Sequence, residues 1–131
     1  MANRDLSHPK GDWTHGSASV NGVDIHYVRE GTGAPVILLH GWPEFWWGWH
    51  RNIPALAEHF DTVAPDLRGF GDTKETADVP AGPDVHAEDI LALADHLGLE
   101  RFGIASHDVG AYVAQAVARR APDRISGLFF F

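Results

Sequence analysis

Apolar residues recur along this chain with changing period, and each change marks an element. Residues 17–20 and 23–28 flank Asn21-Gly22, the dipeptide best suited to the positive φ angles of a two-residue turn, and predict a β-hairpin. The run PVILL at 35–39 is apolar without alternation, as suits a strand buried on both faces of a parallel sheet. Residues 44–59, EFWWGWHRNIPALAEH, read as helix in two pieces, because Pro54 forbids an uninterrupted helix unless it kinks there. Residues 61–64 predict another strand, while PDLRGFGDTK (65–74) and VPAGP (79–83) are loops.

The second half is more regular. VHAEDILALADHL, 85–97, carries apolar residues at 90, 93, 94 and 97, one face of a helix, and Gly98 stops it. Residues 102–105 form a short strand, 109–121 an alanine-rich helix closed by Arg119, Arg120 and Pro122, and 125–131 a last strand. Strands alternating with helices after a starting hairpin predict an α/β domain with a mostly parallel sheet and right-handed crossovers. Residues 1–16 form a polar N-terminal segment ahead of this domain at 17–131.

Composition narrows the function. With 131 residues, 44% hydrophobic and 21% charged, the chain has the make-up of one small globular domain. It has no cysteine, which removes disulfides and cysteine-ligated metals and makes an intracellular, cytoplasmic setting the default. A net charge of −8 argues against nucleic acid or an anionic membrane as partner. The opening MANRDLSHPKGDWTHG lacks the apolar core of a signal peptide, and no later apolar run is long enough to span a bilayer.

The candidate chemistry sits in ASHDVGAY, 105–112, where the strand at 102–105 turns into the helix at 109–121. A reactive residue at the apex of such a turn needs small residues two positions before and after it. Around Ser106 those positions hold Ile104 and Asp108, which are too large; around Asp108 they hold Ser106 and Gly110. Asp108 is therefore the candidate nucleophile, with helix capping as its alternative role. HGWP, 40–43, ends an earlier strand at the same end of the sheet, where open α/β sheets bind ligands. Its Trp42 N–H and the Val109 N–H could form a two-donor oxyanion hole; alternatively, Gly41 and Pro43 simply shape a turn.

HGWPEFWWGWH (40–50), APDLRGFGDT (64–73) and SHDVGAYVAQ (106–115), in that order, resemble the epoxide hydrolases of the α/β-hydrolase fold. The resemblance runs from about Val20 to the last residue and covers the first part of that family's core domain. It implies Asp108 as nucleophile, Trp42 and Val109 as oxyanion-hole donors, His40 and Pro43 shaping the loop, and residues 68–72 as a structural loop. It also implies a small apolar epoxide as substrate, no cofactor, and an ester on Asp108 that a histidine-activated water hydrolyses. The family's histidine, its acid and the proton-donating tyrosines of its cap lie further along the chain. The expected partner is thus a further polypeptide, packed against residues 129–131, that completes sheet, triad and cap. A dehalogenase of the same fold and a noncatalytic binding module are the alternatives; Val109 lacks the halide-binding side chain that follows the nucleophile in such dehalogenases.

His107 precedes Asp108 on the tight turn, so its ring is expected to face away from the nucleophile, packed at the pocket wall. The remaining histidines, His8, His15, His26, His50, His59, His86 and His96, show no metal-ligand spacing and read as surface or interface residues; no metal is expected. Trp42 is expected to line the substrate pocket, and Trp46, Trp47 and Trp49 to pack.

Overall fold

Asn21 and Gly22 take φ angles of 52° and 76°, and the predicted hairpin forms between β1 (His15–Val20) and β2 (Val23–Glu30). The structure, a computed structural model, describes residues 3–75 and 81–131. Residues 79 and 80 of the expected VPAGP loop lie outside the described residues. After the hairpin come β3 (Ala34–Leu39), a 3₁₀ turn at Trp46–Trp49, α1 (Ile53–Leu56) and β4 (Phe60–Pro65). They are followed by α2 (Pro83–His96), β5 (Phe102–Ser106), α3 (Val109–Arg120) and β6 (Ile125–Phe130).

The six strands form one sheet in the order β1-β2-β4-β3-β5-β6. β2 runs antiparallel to both β1 and β4, and the remaining pairs, β3 with β4, β3 with β5 and β5 with β6, are parallel. The unbroken apolar run of β3 lies inside this sheet, with Ile37, Leu38 and Leu39 fully buried. Because side chains alternate along a strand, Ile37 and Leu39 join the core under α2 and α3, with Ile90, Leu93, Val113 and Val117. Leu38 faces the opposite core, with Trp46, Trp49, Ile53 and Ala105.

Trp13 belongs to that second core at 5% exposure. The polar N-terminal segment is therefore tied to the domain, and Arg4 adds an ion pair with Glu30 of β2 at 2.5 Å. The stretch at 44–59 is less helical than its composition suggests, with four residues in the 3₁₀ turn and four in α1. Pro54 stands in the first turn of α1, where its missing N–H costs nothing, so it starts a helix here and kinks none. Among the described residues, no helix is long and apolar enough to cross a membrane.

Candidate active site

β5 turns into α3 within two residues, and the bend falls on Asp108, at φ 56° and ψ −124°. A side chain at positive φ is strained, and such strain persists only where surrounding contacts impose it. Here the imposing contact is the approach of α3 to the end of β3. A Cβ at Gly110 would stand 2.5 Å from the Leu39 carbonyl oxygen and 2.7 Å from that of His40. Gly41 has the same role from the other side, since a Cβ there would meet Asp108 Cβ at 2.7 Å and His107 Nδ1 at 2.5 Å. The two loops meet only because both positions lack side chains.

The Asp108 carboxylate does not cap α3. A side-chain N-cap accepts from the second or third helical N–H, but the Gly110 and Ala111 N–H groups donate to the His107 and Asp108 carbonyls. The carboxylate makes no cap hydrogen bond; instead Asp108 Oδ2 accepts from the Trp42 N–H at 3.0 Å. The Trp42 N–H, and after it the Val109 N–H, hold the carboxyl below its ordinary pKa. Asp108 is exposed and so remains accessible from solvent. Ser106, the other candidate, is fully buried, and its hydroxyl donates to the Phe129 carbonyl at 3.2 Å.

His40 fixes the loop that carries Trp42. Its Nδ1–H donates to the Gly41 carbonyl at 2.8 Å, and its Nε2 accepts from the Leu67 N–H at 3.0 Å. Only the neutral imidazole protonated on Nδ1 makes both bonds. Burial pushes the His40 pKa below that of an ordinary histidine, in the same sense. The Gly41 carbonyl accepts a second bond, from the Glu44 N–H at 3.1 Å, and the Trp42–Pro43 peptide is cis.

His107 turns from Asp108 toward the Gly41 backbone and presents Nε2 to Glu44 Oε1 at 3.4 Å. With His40, Glu44, Trp49, Asn52 and Phe131 it lines a depression of about 220 Å³. Trp42 is 65% exposed and does not line this depression. Trp46 and Trp49 are buried packing residues. The loop at 68–72 sits elsewhere, with Arg68 buried, donating to both Asp89 carboxylate oxygens on α2 at 2.9 Å and to the Asn21 carbonyl at the hairpin tip.

Two residues escaped the sequence reading. Glu44 enters only because the HGWP loop folds it back over His107. Asp66 is 1% exposed and accepts from the Trp46 N–H, the Asp72 N–H and His26 Nδ1. Its partners lie 20 and 40 residues away for Trp46 and His26, a separation that spacing rules do not register. His26 and His86, expected near the surface, are buried: His26 is held by Asp66, and His86 lies under Phe70.

A turn of this kind between a parallel strand and a helix, beside a second loop that offers an N–H, lies at the end of an α/β sheet where such sheets bind ligands. Residues 34–130 match the family model of the alpha/beta hydrolase fold, and the chain belongs to that family. It is 44% identical over 118 residues to the soluble epoxide hydrolase of a Corynebacterium species, a match covering 88% of this chain and 40% of the relative. It is 40% identical over 104 residues to haloalkane dehalogenase 2 of Mycobacterium tuberculosis, covering 79% of this chain and 36% of the relative. The solved structure of epoxide hydrolase CorEH without ligand superposes with a TM-score of 0.86 at 43% identity, covering 89% of this chain and 41% of that one. The chain thus spans about 40% of the length of these relatives.

Proposed function

We propose that this chain carries the nucleophile and oxyanion hole of an epoxide hydrolase. The observation that carries the reading is the Asp108 carboxylate, held at positive φ and bonded to the Trp42 N–H when a capping role would turn it to its own helix. One carboxylate oxygen, Oδ2, accepts from the Trp42 N–H; the other, Oδ1, is the attacking atom. It displaces the epoxide oxygen from a saturated carbon, forming a carbon–oxygen bond as the ring bond breaks, and the released alkoxide takes a proton from a donor. An ionised carboxylate needs no base for this step, and the depressed pKa of Asp108 keeps it ionised.

The ester is cleaved when water attacks Cγ of Asp108. Negative charge then develops on the oxygen facing Trp42 and Val109, where one donor is typically worth about 10²–10³ in rate. The activating histidine, its acid partner and the donor to the alkoxide come from further polypeptide, which docks on β6. That strand pairs only with β5 among the described elements, and Phe129, Phe130 and Phe131 are 65%, 50% and 78% exposed beside it. Trp42 and His107 border the place where an apolar epoxide would lie.

The dehalogenase relative supports a second reading, displacement of halide by the same Asp108 oxygen. Val109 provides no side-chain donor for a departing halide, so epoxide opening is preferred. The test is intact mass after incubation with styrene oxide and, separately, with a 1-chloroalkane. A styrene oxide adduct on this chain, absent from Asp108→Asn, supports the proposal; an adduct formed only with the chloroalkane favours the second reading. Adducts of equal yield on the protein and on Asp108→Asn, or none with either reagent once the polypeptide carrying the histidine, acid and proton donor is supplied, overturn the assignment of Asp108.

A further inference from the structure

Away from Asp108, on the sheet face covered by Trp46, two imidazoles meet. His15 on β1 and His26 on β2 place Nδ1 and Nε2 at 2.8 Å. Their planes differ by 25° and their centroids lie 5.1 Å apart, wider than the nitrogen gap by about two ring radii, so the two nitrogens face each other. The far side of His26 is fixed. Its Nδ1 stands 2.7 Å from Asp66 Oδ2, a buried carboxylate oxygen that can only accept, so Nδ1 carries the proton. The lone pair of a neutral His26 therefore lies on Nε2, directed at His15.

A carboxylate behind an imidazole, setting its tautomer and orientation, is the usual outer support of a metal-ligating histidine. One oxygen of the exposed Asp72, one of Asp66 and a His26 ring nitrogen lie within 4.8 Å of one another, and His15 joins this group through His26. A cavity of about 710 Å³, lined by His8, Lys10, His15, Phe45, Trp46 and Asp72, opens onto this cluster and gives an ion a route from solvent. Two carboxylates beside two neutral imidazoles balance a doubly charged cation.

We propose that His15, His26 and Asp72 form a binding site for a divalent transition-metal ion of the zinc type, with Asp66 as the outer carboxylate. The ion replaces the proton shared between the two rings. Zinc–nitrogen bonds of about 2.0–2.1 Å in a tetrahedral arrangement need the nitrogens about half an ångström further apart than they stand, with the His15 ring swung so that the two lone pairs converge on the ion instead of facing each other. His15 is exposed and on the edge strand, so its ring can make that adjustment. The ion would join β1, β2 and the loop after β4, whose Asp66 also holds the Trp46 N–H.

The test is calorimetric titration of the purified chain with Zn²⁺ in a non-coordinating buffer, repeated with Co²⁺ to record ligand-field absorption. One ion per chain is expected, with tetrahedral-type cobalt bands. The variants His15→Ala and Asp72→Asn change exposed positions, and circular dichroism checks that each keeps the fold. His15→Ala should weaken binding by at least the roughly 10–100-fold that loss of even an outer-shell partner costs, and Asp72→Asn should weaken it measurably. His8→Ala, in the same cavity, should leave affinity unchanged. Absence of saturable binding, unchanged affinity in His15→Ala, or loss of binding in His8→Ala would overturn the proposal.

Discussion

The backbone N–H of Trp42 and the carboxylate of Asp108, 66 residues apart in the chain, meet at 3.0 Å. This bond sets the protonation of the carboxylate, because an N–H donor stabilises the anion and opposes the acid form. The pKa of Asp108 lies below the ordinary aspartate value, first through Trp42 and then through Val109. The rate of adduct formation with an epoxide should therefore stay level as pH falls from neutrality through the ordinary carboxylate range. It should decline only beneath that range, where Asp108 takes up its proton. Stopped-time intact-mass measurements across pH check this; a fall in rate centred on or above the ordinary aspartate value would contradict it.

Close approach at the elbow predicts a cost for a single methyl group. In Gly110→Ala the added Cβ would stand 2.5 Å from the Leu39 carbonyl oxygen, which belongs to a strand and cannot yield as a flexible side chain does. Overpacking of this kind typically costs about 1–3 kcal/mol. Because the strain falls on the peptide that holds Asp108, adduct formation should slow in parallel. Urea unfolding and adduct rate together test the pairing, and a variant of unchanged stability and rate would show that the contact is slack.

Arg68 and Asp89 join two parts of the fold, the loop after β4 and α2, with both side chains almost wholly buried. Asp89 takes two of the hydrogen bonds of the buried Arg68 guanidinium, and breaking a buried ion pair by truncating one member is strongly destabilising, so Asp89→Ala should lose up to about 3–5 kcal/mol. Replacing both, as Arg68→Met with Asp89→Leu, should recover much of that loss, since it removes the buried charge altogether. Denaturant midpoints of Arg68→Met, Asp89→Leu and the double variant distinguish this from a simple sum of losses.

What could be read from the sequence follows the range of the interactions. Asn21-Gly22 announced the hairpin because the turn conformation is a property of those two residues. The α/β class and the crossovers follow from apolar period, and the preference for Asp108 over Ser106 rests on the immediate neighbours of each. The two helical pieces expected over 44–59 are a 3₁₀ turn and a single turn of α-helix, because Trp46 and Trp49 are placed by the core they fill and Trp46 by the Asp66 carboxylate. The pairing of His15 with His26 was invisible for a similar reason. Metal-ligand spacing looks along one element, and these residues sit on two strands with Asp66 on a third segment.

Acid sensitivity should come first from two buried histidines. Burial lowers the pKa of both His40 and His86, and His40 is locked as the neutral tautomer by its bonds to Gly41 and Leu67. In the unfolded chain each returns to a value near 6.5. Below that value the unfolded state binds protons that the folded state refuses, so their contribution to stability is full above the unfolded pKa and is lost as pH falls beneath it. Unfolding midpoints should therefore drop as pH falls below about 6.5, well above the range in which carboxylates titrate. His86 is the informative site, because its Nδ1 is buried without a hydrogen-bond partner among the described residues, whereas His40 is also needed by the Trp42 loop. His86→Phe keeps a ring against Phe70 and removes the titrating group, and should flatten part of the slope. If the wild-type midpoint is constant through this window, neither ring is kept neutral by the fold; if His86→Phe leaves the slope intact, His86 is not.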